Sequence, residues 1–494
     1  MRFPIKKSLL MAAAFLALSV GQADAAAPIS LAESVSMALA THEDIAAAEA
    51  ARDASRWDLS AARRATGFTA RWSSTAVRIG GRDYEEYRRA YDKRGEWNLD
   101  DPWDAMIYKY FLHGSIPPDP YNYSFTNAVS LSYRFFSGGQ LENTIEAQRQ
   151  GLFAADLTEE DTRQSVRFKA LQAYYDLLQQ ENLRNISKGA VDMASEQRDL
   201  IRVHFEEGAA AYGDLLQMEV QLADYHQSLV SAEGSLEAAR YTLARVVGLP
   251  QDTPLEPTDT FTYTPYPKTL PECEAYALAH RPDGKAADCR VKQYEAVKNA
   301  QKSGWNPQID AVANKSTRSN YSFSKDRRDQ WDVGIEISWN VFDNGLTSAR
   351  VNAAKEQENE ARAEADNLWN DILLETRTAY AQMKAAEKNI SDTARAVQKA
   401  EERLKMVTAR YDEGMDILLN VTKAQEKLNE ARSNHLTALY EYNLGKATLE
   451  KAIGVPVALD VPRYMEAVEE GKSANEALKE AAISMPVEDA QGNG

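Results

Sequence analysis

Residues 331–345 read Trp-Asp-Val-Gly-Ile-Glu-Ile-Ser-Trp-Asn-Val-Phe-Asp-Asn-Gly. Trp331, Val333, Ile335, Ile337, Trp339 and Val341 alternate with Asp332, Gly334, Glu336, Ser338 and Asn340. Strict alternation over about 11–13 residues with aromatics at the ends is the pattern of a tilted membrane-spanning strand, one face to lipid and one to water. Strands of soluble sheets alternate too, but usually run about 5–6 residues. After Gly345 the period changes. From Ile372, the positions Thr376, Ala379, Met383, Ala386, Ile390, Thr393, Val397, Ala400, Leu404, Val407 and Tyr411 follow 4-3 spacing, a heptad seam. No proline interrupts Leu141–Glu207 or Leu346–Glu413. A helix of some 65 residues is about 100 Å long at 1.5 Å per residue, a rod that cannot fold back into a globule. Its small and medium seam residues suit helices packed around a wide bore. From the helices alone, a plain structural coiled coil reads equally well; the strands shift the balance.

The same text occurs earlier in the chain. A shift of 206 positions superposes Tyr133–Pro250 on the second copy without a gap. Tyr133 meets Trp339, Gly139 meets Gly345, Ala173-Tyr174 meets Ala379-Tyr380, Gly208 meets Gly414, and Gly248 meets Gly454. Upstream the shift is 239, with Ala38-Leu39 on Ala277-Leu278, so the first copy carries an insertion of 33 residues, the difference between the two shifts. Each copy reads as helix, strand, strand, long helix, helix. In the first, Tyr123, Phe125, Val129, Leu131, Tyr133 and Phe135 supply the apolar alternation. The partner strands are weaker: Phe68, Ala70 and Trp72 in the first copy, Ile309 and Ala311 in the second.

The N-terminus predicts export. Arg2, Lys6 and Lys7 precede an apolar run, Leu9 to Val20, and Ala23-Asp24-Ala25 has the small-x-small cleavage pattern. The run is shorter than the roughly 20 residues a spanning helix needs. Removing residues 1–25 takes three of 57 basic and one of 74 acidic residues, leaving a formal charge of −19. That balance argues against nucleic acid. Cys273 and Cys289 flank the Arg281-Pro282-Asp283-Gly284 turn. On antiparallel helices they would lie at similar heights, which allows a disulfide worth about 3 kcal/mol in the chain-entropy model; two separate buried thiols are the other reading.

Four membrane strands cannot close a barrel, and unpaired backbone in lipid costs several kcal/mol per group. Three copies sharing one barrel would supply twelve strands, enough for an aqueous lumen.

The chain resembles the outer-membrane efflux protein family, the TolC-like trimeric exit ducts, over roughly Ile29 to Pro456. The motifs that carry the resemblance are Ser-Trp-Asn-Val-Phe-Asp-Asn-Gly (338–345), Trp-Asn-Pro (305–307), Arg-Tyr-Asp-Glu-Gly (410–414) and Leu-Gly-Lys-Ala-Thr-Leu-Glu-Lys-Ala-Ile-Gly-Val-Pro (444–456), together with the duplication. Phe68, standing where the second copy has Pro307, departs from the pattern. The resemblance implies a mainly α fold with a transmembrane β part: a duplicated unit whose four strands per protomer complete a 12-stranded trimeric barrel, continued by a long antiparallel α-helical barrel. It implies a passive exit duct of a tripartite efflux or type I secretion system in the outer membrane, with the helical tunnel in the periplasm. Its partners would be two further copies, outer-membrane lipid, a periplasmic adaptor (membrane fusion) protein and an inner-membrane pump of RND or ABC type. It implies no cofactor and no enzymatic chemistry. The domains then fall as a signal peptide (1–25), a first repeat (26–250) with a hairpin tip near 208, and a second (251–456) with strands at about 307–342 and a tip near 414. A periplasmic C-terminal segment (457–494) ends in a disordered tail.

The hairpin tips are the candidate site. Gly208 and Gly414 break two long helices where the chain must reverse, and a threefold axis would repeat each tip residue as a ring. By resemblance, Tyr411 and Asp214 match a gate tyrosine and its acid on the neighbouring hairpin. Asp416 stands where some relatives have an arginine; Asn420 and Lys423 stand where others have constricting acids. Glu206, Glu207, Asp412, Glu413 and Asp416 gather at the tips and read either as gate residues or as solvated loop acids. The insertion, placed at about residues 80–120, carries Tyr84, Tyr87, Tyr91, Trp97, Trp103, Tyr108, Tyr110 and Phe111. That density reads as a lid over the barrel mouth, a partner surface or a long solvated loop. The six His residues make no HExxH or other close metal-ligand pattern, and there is no G-x-S-x-G, P-loop or dinucleotide fingerprint. The main rival is a trimeric adhesive coiled coil, which would lack paired barrel strands and a duplicated body.

Overall fold

The computed structural model describes residues 27–92, 100–107, 109–110, 123–208, 210–319 and 327–483. The expected signal peptide, the tail beyond 483 and part of the aromatic insertion lie outside them. The chain divides into two compact units. One holds Trp57–Arg149 and Gln293–Glu358; the other holds the preceding residues, Gln150–Lys292 and Asn359 onward.

The first unit contains four antiparallel strands: β2 (Thr69–Arg78), β3 (Tyr123–Phe136), β5 (Gln308–Ser319) and β6 (Arg327–Ser338), adjacent in that order. Their register sorts the side chains by chemistry. Ala70, Leu131, Ala313 and Val333 form one cross-strand row, with Trp72, Val129, Lys315 and Trp331 beside it and Tyr133, Ala311 and Ile335 below. This apolar face is bare: Trp331, Val333, Ile335 and Ile337 are 67–74 % exposed. The opposite face carries Thr69, Ser132, Asn314 and Asp332, with Arg134 Nε donating to Asp310 Oδ1 at 2.8 Å. β2 and β6 are the sheet edges.

The weak partner strands are longer than their alternation suggests, because β3 and β6 supply hydrogen bonds that fix β2 and β5 beyond their own apolar residues. β6 stops earlier than expected. Trp339 and Val341 lie past its end, and Trp339 Nε1 donates to the Trp305 carbonyl at 3.0 Å. In the insertion two helices form, α3 (Arg82–Asp92) and α4 (Pro102–Ile107), with Trp103 exposed.

The second unit holds β1 (Ala27–Ile29), paired in parallel with β4 (Leu255–Pro257), and α1 (Leu31–Thr41). It also holds α7 (Leu270–His280), α11 (Val461–Glu469) and α12 (Ala474–Ala481). α2 (Glu43–Arg64) and α8 (Pro282–Gln301) begin in it. The long helices are α5 (Gln140–Glu206) and α9 (Leu346–Asp412), 67 residues each and continuous as the sequence predicts. Their antiparallel partners are α6 (Tyr212–Val247) and α10 (Leu418–Ala452). No described helix is long and apolar enough to cross a membrane.

The duplication is visible in the packing. Ala173, Leu177, Leu243 and Val247 are buried in one cluster; their counterparts Ala379, Met383, Leu449 and Ile453 are buried in another. Each copy seals its hairpin end against its leading short helix. Thr41 Oγ1 donates to the Val247 carbonyl at 2.8 Å, and Arg281 Nη1 to the Ala452 carbonyl at 3.2 Å. Gly248 and Gly454, both at positive φ, sit at these joints with no room for a Cβ.

The disulfide reading is corrected: both thiols are free and buried. Cys273 lies with Ala277, Ile372 and Met383, whereas Cys289 lies with Phe153, Leu157 and Tyr464. The two helices turn their cysteines into different cores. The C-terminal segment is also more structured than its composition suggests. α11 and α12 pack Val461, Tyr464 and Ala477 onto Phe153 and Leu157 of α5, and Glu160 of α5 accepts the Val457 N–H at 2.7 Å.

Candidate functional site

The hairpin tips form because the heptad seam simply ends. α5 stops at Glu206, Gly208 takes φ +76°, and the Ala210 N–H donates to the His204 carbonyl. In the second tip Gly414 takes φ +72°, and the Met415 N–H donates to the Arg410 carbonyl at 2.9 Å. Such bonds satisfy the last carbonyls of a helix. The tips then differ. Asp416 Oδ1 accepts from the Ile417 N–H at 2.9 Å and from Asn420 Nδ2 at 2.6 Å, closing the first turn of α10. These donors, Asn420 first, hold the Asp416 carboxyl below its ordinary range. Neither helix has a side-chain hydrogen bond from its N-cap residue, Ala211 for α6 and Ile417 for α10, and among the described residues the first tip has no counterpart of the Asp416 clasp.

Asp416 and Asn420 thus come together, as one clasp within one tip. Tyr411 is half-buried against a cluster of Ala194, Ile201, Leu215, Met218 and Leu418. Burial, then the nearby charges of Asp214 and Asp412, push its hydroxyl above the usual tyrosine value. Asp214 is therefore a neighbour of Tyr411, but no hydrogen bond joins them within the chain. Glu206, Glu207, Asp412, Glu413 and Lys423 are exposed.

Sequence reasoning passed over the residue that ties the two hairpins together. Leu418, the first residue of α10, is 2 % exposed inside the first hairpin's cluster. The signal was present: Leu418, Val421, Thr422, Gln425 and Leu428 continue a 3-4 stripe into the tip, and all are buried. Around them Met415 and Ile417 are each 61 % exposed, and Val203 and Leu216 are exposed to a lesser degree. Among the described residues no group of His, Cys, Asp and Glu is placed to hold a metal ion.

Comparison with known proteins agrees with this architecture. The sequence profile of the family described as outer membrane efflux protein matches residues 115–249 and 275–455. The outer membrane efflux protein BepC of Brucella suis is 24 % identical over 317 residues, 64 % of this chain and 69 % of that protein. The outer membrane protein TolC of Escherichia coli is 22 % identical over 67 % of this chain and 69 % of its own length. Among solved structures, the outer membrane protein VceC of Vibrio cholerae superposes with a TM-score of 0.71 at 18 % identity, covering 86 % of this chain and 96 % of VceC.

Proposed function

This chain belongs to the outer membrane efflux protein family, and from that premise we propose that three copies form one duct through which a pump's cargo leaves the cell. The protein is an outer-membrane protein of a channel family rather than an enzyme family. The observation that carries the trimer is the open four-stranded sheet, with a bare apolar face and two unpaired edges at β2 and β6. Lipid cannot hydrogen-bond those edges, so they must find partners, and the edges of further copies are available. Twelve strands from three chains leave an aqueous lumen lined by the Arg134–Asp310 face.

The periplasmic gate lies at the hairpin tips. Glu206, Glu207, Asp412 and Glu413 repeat around the threefold axis and repel one another, and Tyr411 and Leu418 hold the tips closed against that repulsion. Within one chain Tyr411 makes no bond to Asp214, so the closing contact of its hydroxyl is one between copies. Asp416 and Asn420 shape the tip, and Lys423 sets the charge one turn further along α10. The exposed Met415 and Ile417 are where an adaptor engages. Efflux and type I secretion both fit this arrangement; the inner-membrane pump, RND or ABC, decides between them.

A cysteine placed at Met415 tests the assembly in living cells. Thiol crosslinking from that tip should yield an adduct with a periplasmic protein in addition to the trimer. A trimer that never yields such an adduct contradicts the tripartite reading.

A further inference from the structure

Charge on the polar face of the sheet changes sign along the strands. In the row nearest the long helices, Arg134 faces Asp310, which faces Glu336 in turn. Two rows further along, Arg71 and Asp332 give one charge of each sign, and Asn314 Nδ2 donates to Asp332 Oδ2 at 2.8 Å. Two rows beyond that stand Thr75, Thr126, Arg318 and Arg328. Arg318 and Arg328 are exposed and directly opposite each other on adjacent strands, and among the described residues no carboxylate bridges either. Like charges in direct cross-strand register destabilise a sheet. A local rule broken without compensation points to a use. The row lies next to the ends of β5 and β6, at Ser319 and Arg327, opposite the end that leads into α9.

We propose that Arg318 and Arg328 form a binding ring for polyvalent anions at the extracellular mouth of the duct. The inference rests on the trimeric reading. Two guanidinia per chain become six around the axis, in a confined lumen whose walls focus the field. Arginine presents paired donors suited to phosphate and carboxylate oxygens, and the hydroxyls of Thr75 and Thr126 lie in the same row. Two rows down, the matched charges of Arg71 and Asp332 bind no such ligand. The ring therefore draws multiply charged anionic solutes through the last step of exit, in a protein whose overall charge is strongly negative.

The test is single-channel recording from the purified trimer in planar bilayers, with inorganic pyrophosphate added to either side. Pyrophosphate should reduce the current more strongly from the extracellular side. Arg318→Ser/Arg328→Ser should weaken that block about tenfold or more, while Arg318→Lys/Arg328→Lys keeps most of it. Should the double serine variant fail to give a trimer, the two single serine variants should each show an intermediate weakening. Equal block in the wild-type and serine channels, or none in the wild type, overturns the ring while leaving the duct intact. Failure of the wild-type trimer to conduct at all overturns both.

Discussion

The Tyr464 hydroxyl donates to Asp156 Oδ2 at 2.6 Å, joining α11 to α5 across 308 positions of sequence. Both residues are buried, and Asp156 Oδ1 has no partner among the described residues. Burial raises the Asp156 carboxyl to about 7, against the pull of the Tyr464 bond and the Arg52 charge. Burial also raises Glu160, which anchors the Val457 and Ala458 amides. An acid raised in the native state binds more protons there than when unfolded, so stability falls as pH climbs from about 4 to about 7 and levels off above that. Hydrogen exchange over residues 457–483, corrected for intrinsic rates, should show more protection at pH 5 than at pH 8. Asp156→Asn should shrink that difference. An undiminished difference would locate the titration elsewhere.

Leu418 is the apolar peg between the hairpins. Leu418→Ala leaves a cavity among Ile201, Leu215 and Met218 and should cost about 2–4 kcal/mol locally. In the proposed gate that packing opposes tip separation, so the variant should conduct more in planar bilayers while remaining a trimer. Unchanged conductance would remove Leu418 from the gate.

Tyr411 separates packing from hydrogen bonding. Tyr411→Phe keeps the ring in its cluster, so stability should change by less than about 0.5 kcal/mol in a denaturation series. In the proposed gate the hydroxyl's closing contact lies between copies, so conductance should nevertheless rise. Tyr411→Ala should change both. Wild-type conductance in the phenylalanine variant would exclude the hydroxyl.

Glycines at similar positive φ should not be equally replaceable. A Cβ on Gly454 (φ +74°) would lie 2.9 Å from the His280 carbonyl oxygen, whereas one on Gly414 (φ +72°) meets open space. Both alanine variants bear the backbone strain of about 1–2 kcal/mol, but only Gly454→Ala adds a clash with backbone. Thermal unfolding should place Gly454→Ala well below Gly414→Ala. Equal midpoints would contradict the joint between α7 and α10.

What was legible in the sequence follows from which residues act alone. Uninterrupted seams such as Ile372 to Tyr411 report a helix by themselves, and α9 ends within a residue of where the seam does. β3 and β6 carry their own alternation. β5 does not: Ala311, Ala313, Lys315 and Thr317, on the face it shares with Leu131 and Val333, are placed by the strands beside them, and only pairing reveals that. The tips were found from Gly208 and Gly414. Leu418 was missed because its partners, Ile201 and Met218, lie some 200 residues away in sequence. The sequence leaves both readings of the cysteines open for a related reason. Spacing around a turn gives height along two helices, but not which side each residue faces, and Cys273 and Cys289 face different cores.

In the proposed duct other copies complete the bare sheet, so the mass of the assembly decides most directly. Native mass spectrometry of the protein extracted from outer membranes in detergent should give three chains, held together until heating separates them. A single chain that stays soluble without detergent would contradict the shared barrel, and with it the lumen and the gate.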